Sequence, residues 1–341
     1  MQQNQNPSLS QRTRQGRGTR CCFRLIGLDN RLQPWIDLLR AGDARALARA
    51  ISVVEDRGSG AYELLKALFP HSGKARVIGL TGAPGAGKST LVDQLAHQYR
   101  RGRKTVGIVA VDPTSPYTGG AILGDRIRMQ SHYADAGIYI RSMATRGSLG
   151  GLAHTTADVA TVMDASGRDV ILIETVGVGQ DEVDIVRLAE ITVVILVPGM
   201  GDDVQTIKAG IMEIADIFVI NKSDREGAER VEREILAMQS LATRSDGWVP
   251  PIVKTVASEG KGIVELEVAI GRYEAYLAEG GRLQKKAAQN WEMRLLGMLR
   301  DAVLERVTER LGAGELARYA EEVAGHRRDP YALVEELAGS S

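Results

Sequence analysis

The run Gly82-Ala83-Pro84-Gly85-Ala86-Gly87-Lys88-Ser89, continued by Thr90, restricts the fold of this chain more than any other stretch of it. It fits the pattern G-x-x-x-x-G-K-[ST], follows the apolar run Val77 to Leu80 and precedes the amphipathic stretch Leu91 to Tyr99. That is the order of strand, loop and helix that a phosphate-cradling loop needs. Glycines at 82, 85 and 87 let the backbone curl until successive N–H groups point at phosphate oxygens. The N-terminus of the following helix adds partial positive charge. In that arrangement Lys88 reaches the β- and γ-phosphates of a nucleoside triphosphate. Ser89 offers its hydroxyl to a magnesium ion, which prefers an octahedron of oxygens and keeps several waters.

After Gly73 short β-rich runs alternate with amphipathic stretches: Arg76 to Thr81, Thr105 to Asp112, Gly137 to Ser142, Val170 to Thr175, Thr192 to Val197, Ile217 to Ile220 and Ile252 to Val256. The alternation predicts an α/β fold of the P-loop NTPase type, a mostly parallel β-sheet flanked by helices. Ligands of such a sheet collect at the carboxyl ends of its strands. Composition agrees, since 38 glycines and only 4% aromatic residues suit many tight strand-to-helix turns. The balance of 43 basic against 43 acidic side chains removes the general electrostatic case for a nucleic-acid or membrane-surface partner. No run approaches the roughly 18 apolar residues of a membrane span. Cys21 and Cys22 are adjacent, which argues against a disulfide framework or a four-ligand zinc site and predicts a cytoplasmic protein. The histidines at 71, 97, 132, 154 and 326 show no metal-ligand spacing.

Four parts follow in order. Residues 1–30 carry Arg12, Arg14, Arg17, Arg20 and Arg24 before the first acid at Asp29, and read as a disordered basic tail with no apolar core of a secretory signal. Residues 31–72 form an N-terminal helical segment, in which Trp35, Leu38, Leu39, Ala46, Leu47, Ala50, Ile51 and Val54 recur at helical spacing, broken by Gly42 and Asp43. Residues 73–280 make the P-loop domain. Residues 281–341 make a C-terminal arm, with amphipathic helices predicted over Ala288 to Val307 and Ala317 to Leu337. Trp291, Met293, Leu295, Leu296, Met298 and Leu299 give this arm more apolar surface than two helices bury alone, so it packs on the main domain or on a second copy of the chain.

Asn221-Lys222-Ser223-Asp224 ends a β-run as N-K-x-D. An aspartate there accepts both donors of the guanine edge, N1–H and the exocyclic amine, whereas adenine offers no matching pair. Guanine is therefore predicted over adenine. Asn221 braces the loop or reaches the base, and the stem of Lys222 lies along the ring face. Val256-Ala257-Ser258 closes the next β-run, where the guanine carbonyl is met through backbone N–H groups. Two more acids stand at strand ends for magnesium: Asp112, and Glu174 within Glu174-Thr-Val-Gly177-Val-Gly-Gln180. Gly177 is positioned to give its N–H to the γ-phosphate as a switch. Asp125 lies in a glycine-rich connection that closes over the nucleotide as another, and Gln180 is a candidate for positioning water by its chemistry alone.

Taken together, Gly82 to Thr90, Asp112-Pro-Thr-Ser-Pro-Tyr-Thr-Gly-Gly-Ala-Ile-Leu-Gly-Asp125-Arg-Ile-Arg-Met129, Glu174 to Gln180 and Asn221 to Asp224 closely resemble the MeaB/ArgK family of P-loop GTPases, in the SIMIBI class. The likeness runs from about residue 35 to 338. It implies a GTPase of slow intrinsic rate that chaperones an adenosylcobalamin-dependent acyl-CoA mutase, typically methylmalonyl-CoA mutase, gating cofactor loading and guarding the radical enzyme from inactivation. It implies that Ser89, Asp112, Asp125 and Glu174 surround magnesium, that Lys88, Asp125, Glu174 and Gly177 serve catalysis, and that Gly199 to Lys208, with Asp202, Asp203, Gln205 and Lys208, forms a third switch toward the mutase. It also implies a homodimer joined through the C-terminal arm. Isobutyryl- and 2-hydroxyisobutyryl-CoA mutases are alternative clients. Two other classes share features with this reading. A nickel-type metallochaperone would carry a His/Cys cluster near the switches, which this sequence lacks, and a transport-linked ATPase or kinase is opposed by Asn221 to Asp224.

Overall fold

The computed structural model describes residues 29–58, 60–112, 135–144, 151–175, 189–199, 214–241, 246–312 and 314–339. The basic tail up to residue 28 lies outside them, as do Asp125, Gly177, Gln180, Asp202, Asp203, Gln205 and Lys208; of Asp112 only the backbone is described.

Seven strands among the described residues are β1 (Arg76–Gly82), β2 (Val106–Asp112), β3 (Ile138–Ala144), β4 (Val170–Thr175), β5 (Ile191–Leu196), β6 (Ile217–Asn221) and β7 (Ile252–Thr255). They form one sheet in the order β3-β2-β4-β1-β5-β6-β7. Every neighbouring pair is parallel. Each coincides with one of the β-rich runs of the sequence. Strands β4, β5 and β6 are buried at every position, as expected where helices cover both faces of a parallel sheet.

The alternation of side chains divides the apolar residues between the two faces. Val170 and Leu172 join the core made with α4 (Lys88–Arg101) and α7 (Ile263–Ala278). Ile171 and Ile173 point the other way, into a core with α1 (Asp29–Arg40), α2 (Ala44–Glu55), α3 (Ala61–Leu68) and α5 (Gly151–Ala165). Along β5, Val193 and Ile195 face the first core, while Val194 and Leu196 pack with Ala228, Val231 and Ile235 of α6 (Ala228–Leu241). The N-terminal helices therefore complete one face of the sheet. Asp43 starts α2 by accepting the Ala46 N–H at 2.7 Å, and Trp35 Nε1 ties α1 to the Ala46 carbonyl at 3.3 Å.

The C-terminal arm consists of α8 (Arg282–Arg310), α9 (Glu315–Ala324) and α10 (Pro330–Gly339). The single helix expected over Ala317 to Leu337 is thus two. Gly325 caps α9 and His326 takes a left-handed backbone at φ 53°. Pro330, which has no N–H to continue a preceding turn, opens α10. The Asp329 carboxylate accepts the N–H groups of Tyr331 and Ala332, both at 3.2 Å. None of the residues of α8 is fully buried, and Leu295, Leu296, Leu299, Val303 and Leu304 are exposed. Among the described residues no helix is long and apolar enough to cross a membrane.

One buried carboxylate sets where β1 begins. Asp164, near the end of α5 and 8% exposed, accepts the N–H groups of Gly73, Lys74 at 3.1 Å and Ala75 at 2.9 Å. Asp164→Ala leaves those donors unmet, a cost of about 3 kcal/mol. The expected outcome is a lower urea midpoint with an unchanged slope. A midpoint equal to that of the parent chain would remove this role.

Candidate functional site

The strand register brings the sequence motifs to one edge of the sheet. Leu80 of β1 pairs with Glu174 of β4, and Glu174 pairs on its other side with Ala110 of β2. Gly82 pairs with Ile195, and Asn221 with Thr255. The phosphate loop, Glu174 and the Asn221 loop therefore all leave the carboxyl ends of neighbouring strands. The backbone of Asp112 reaches the same edge, one residue beyond the pair Val111–Thr175.

Two glycines of the loop are required by contact as well as conformation. Gly82 has φ 151°, and a Cβ there would run into the carbonyl oxygen of Ile195. Gly87 has φ 87°, and a Cβ there would lie 2.5 Å from Asn221 Nδ2. Gly87 also precedes the first turn of α4, which carries no acidic residue to compete for its N–H groups.

Three side chains donate to carbonyls of the loop. Lys88, only 6% exposed, donates from Nζ to the carbonyls of Gly82 at 2.6 Å and Ala83 at 3.1 Å. Asn221 Nδ2 donates to the Ala86 carbonyl at 2.8 Å. Lys222, in a left-handed backbone at φ 54°, donates from Nζ to the Gly85 carbonyl at 2.7 Å. A peptide N–H points opposite to the carbonyl of the same unit. Holding the Ala86 carbonyl on Asn221 therefore turns the Gly87 N–H away from that side chain.

The oxygen of the same Asn221 amide accepts the Thr255 hydroxyl and the Ala257 N–H, both at 3.1 Å. Asp224 is exposed three residues further along that loop, whose Ser223 N–H is anchored on the Thr255 carbonyl at 3.1 Å. The same arrangement involves the run after β7. Of the run Val256-Ala257-Ser258, the Val256 N–H is held by the Lys261 carbonyl at 3.1 Å and the Ala257 N–H by Asn221. Both bonds lie inside the protein, while Ser258 is exposed.

Ser89 donates from Oγ to Glu174 Oε1 at 2.6 Å, and Glu174 is 4% exposed. Beside it, the buried Thr175 hydroxyl donates to Thr81 Oγ1 at 3.2 Å. A hydroxyl and a carboxylate next to a phosphate loop are hard oxygen donors of the kind that magnesium takes, with the remaining positions left to phosphates and waters. Among the described residues no group of three or more His, Cys, Asp or Glu side chains is gathered to hold a metal ion. The donor set fits magnesium shared with a nucleotide.

Sequence reasoning missed Thr255, Thr81, Thr175 and Gly262. At Gly262, with φ 79°, a Cβ would meet the Lys254 carbonyl oxygen, so the turn carrying Ala257 and Ser258 closes only around glycine. The spacing Gly260-Lys261-Gly262 directly after a β-run was a signal for that turn.

The profile described as "Methylmalonyl Co-A mutase-associated GTPase MeaB" matches residues 47–311. A protein of Pyrococcus abyssi named as a GTPase is 49% identical over 305 residues, covering 89% of this chain and 94% of that one. The mouse protein named "Methylmalonic aciduria type A homolog, mitochondrial" is 34% identical, over 82% of this chain and 72% of its own length. Among solved structures, one described as "Crystal structure of LAO/AO transport system kinase" superposes with a TM-score of 0.67 at 28% identity, covering 90% of this chain and 96% of that one.

Gly87→Ala pushes a methyl group into the amide that holds the loop. It is expected to weaken binding of a fluorescent GDP analogue by about 10-fold or more, one such lost contact being worth roughly 1–3 kcal/mol. Unchanged affinity in an equilibrium titration would contradict the contact.

Proposed function

The chain belongs to the MeaB family of P-loop GTPases, and on that premise we propose that it binds and hydrolyses GTP as the chaperone of an adenosylcobalamin-dependent acyl-CoA mutase, with methylmalonyl-CoA mutase as the client. The observation that carries the nucleotide part is the single Asn221 amide, bonded to Ala86 of the phosphate loop at 2.8 Å and to Ala257 at 3.1 Å. It joins the phosphate cradle to the two loops that read a base. The mutase part is supported by the description of the matching family.

In this reading residues Gly82 to Thr90 wrap the phosphates and Lys88 meets the β- and γ-phosphates. Asp224 accepts N1–H and the exocyclic amine of guanine, the stem of Lys222 lies along the ring, and the Ser258 N–H meets the guanine carbonyl. Ser89 and Glu174 hold Mg2+, with Asp112 and Asp125 completing the acidic set. Magnesium, when bound, offsets the negative charge of the β- and γ-phosphates. Gly177 gives its N–H to the γ-phosphate, so that loss of that phosphate releases its loop. Asp202, Asp203, Gln205 and Lys208 face the mutase, and the exposed side chains of Leu295, Leu296, Leu299 and Val303 on α8 form the seam of a homodimer. Isobutyryl- or 2-hydroxyisobutyryl-CoA mutase is the alternative client.

Two measurements test this reading. GTP is expected to displace the fluorescent GDP analogue while ATP does not, and Asp224→Asn is expected to narrow that preference by about 10-fold or more, because a lost charged hydrogen-bond pair carries much of the discrimination. Equal competition by ATP in the parent chain would favour the transport-linked kinase reading, in keeping with the name carried by the solved relative. Purified methylmalonyl-CoA mutase is expected to accelerate GTP hydrolysis, and Lys208→Ala to spare the intrinsic rate while losing the acceleration. Equal stimulation of parent and variant would remove Lys208 from the partner surface.

A further inference from the structure

One face of α8 carries Lys286, Asn290 and Arg294 at steps of four residues, so their side chains stack along the same side of the helix. Each reaches a different part of the nucleotide-binding half. Lys286 Nζ donates to Asp216 Oδ2 at 2.7 Å and to the Tyr273 hydroxyl at 2.9 Å. Asn290 Nδ2 donates to the Ala189 carbonyl at 3.4 Å. Arg294 donates to Asp158 Oδ1 on α5 at 2.6 Å and lies over the Trp291 ring at 4.6 Å. Further along, Gly297 lets the backbone of α8 press against the His154 ring of α5, where a Cβ would collide, and Asp301 pairs with Arg57 at 3.3 Å.

Two of these contacts fall where strands begin. Asp216 immediately precedes β6 and Ala189 stands two residues before β5. The chain enters β5 from the segment that carries Gly177 and Gln180, and enters β6 from the segment that carries Asp202 to Lys208. Asp216 is 1% exposed and its Oδ2 also accepts the Thr192 N–H of β5 at 2.9 Å. Lys286 therefore grips the joint at which both strands begin. The far end of β6 is Asn221, which holds the phosphate loop. β5 and β6 are buried throughout, and close-packed strands transmit a displacement rather than absorb it.

We propose that Lys286, Asn290 and Arg294 are positioning residues through which α8 and the nucleotide site bias each other, so that the GTP-bound and GDP-bound states favour different seatings of the C-terminal arm. The inference rests on the guanine-nucleotide reading above and adds to it the path by which the arm senses the nucleotide. None of the three side chains touches the phosphate loop. Their effect is therefore on the difference between two bound states, and by linkage a contact that responds to the nucleotide must alter the relative affinities for the two nucleotides.

The test uses the full chain with GDP and a non-hydrolysable GTP analogue, each measured by equilibrium titration. Lys286→Met and Arg294→Met are expected to change the ratio of the two affinities by about 5-fold or more, and Lys286→Arg, which keeps the charge on Asp216, to return the ratio toward that of the parent chain. Asn290→Ala, which removes one long hydrogen bond and spares the ion pairs, supplies a folded variant should the buried charge of Asp216 unfold Lys286→Met; a ratio change in the same direction supports the proposal. Hydrogen exchange across residues 282–300 is expected to differ between the GDP and analogue complexes of the parent chain. Variants that lose thermal stability while both affinities fall together, with exchange of α8 blind to the nucleotide, would overturn the inference and leave a purely structural anchor. A parent chain that binds neither nucleotide would instead overturn the proposed function, and this inference with it.

Discussion

One buried amide organises the ligand edge of this protein. Asn221 donates to Ala86 on one side and accepts from Thr255 and Ala257 on the other, so three loops that leave three different strands share a single side chain. A buried amide with its hydrogen-bonding capacity met is directional and costly to disturb. Its position explains why Gly87 is glycine, since any side chain there would displace the amide. The same amide also holds the Ala257 N–H.

The sheet supplies the rest of the geometry. Because β1, β4, β5 and β6 are adjacent and parallel, their carboxyl ends deliver the phosphate loop, Glu174 and Asn221 to one edge. Their amino ends deliver Asp164's anchor on residues 73–75 and the Asp216–Lys286 pair to the other. Buried strands on which both faces are packed act as rods between the two edges. The arrangement suits the proposed coupling between the nucleotide site and the C-terminal arm.

Much of this was legible in the sequence, and the reasons are physical. The seven strands could be read because a doubly covered parallel strand must be apolar at successive positions, as Val170 to Ile173 is. The phosphate loop could be read because positive φ angles and close approach leave glycine at 82 and 87. The division of the last helix at Gly325 and Pro330 was missed because helical periodicity runs on across a short turn, although the proline itself was the breaking signal. The spent amides of Val256 and Ala257 were not legible at all. They depend on Asn221 and Lys261 folding back onto the turn, and backbone hydrogen bonding leaves no mark on residue type. Pairs such as Asp216 with Lys286, 70 residues apart, lie equally beyond any local pattern.

Through Asn221 the phosphate cradle and the loops proposed to read a base form one braced unit. Calorimetric titration of Asn221→Ala with GDP and, separately, with inorganic tripolyphosphate tests it most directly, because the second ligand has no base to read. Both ligands are expected to weaken by about 10-fold or more, since a buried hydrogen-bonding amide is worth roughly 1–3 kcal/mol. Loss of GDP affinity with tripolyphosphate binding unchanged would contradict it, and would confine Asn221 to contact with the base.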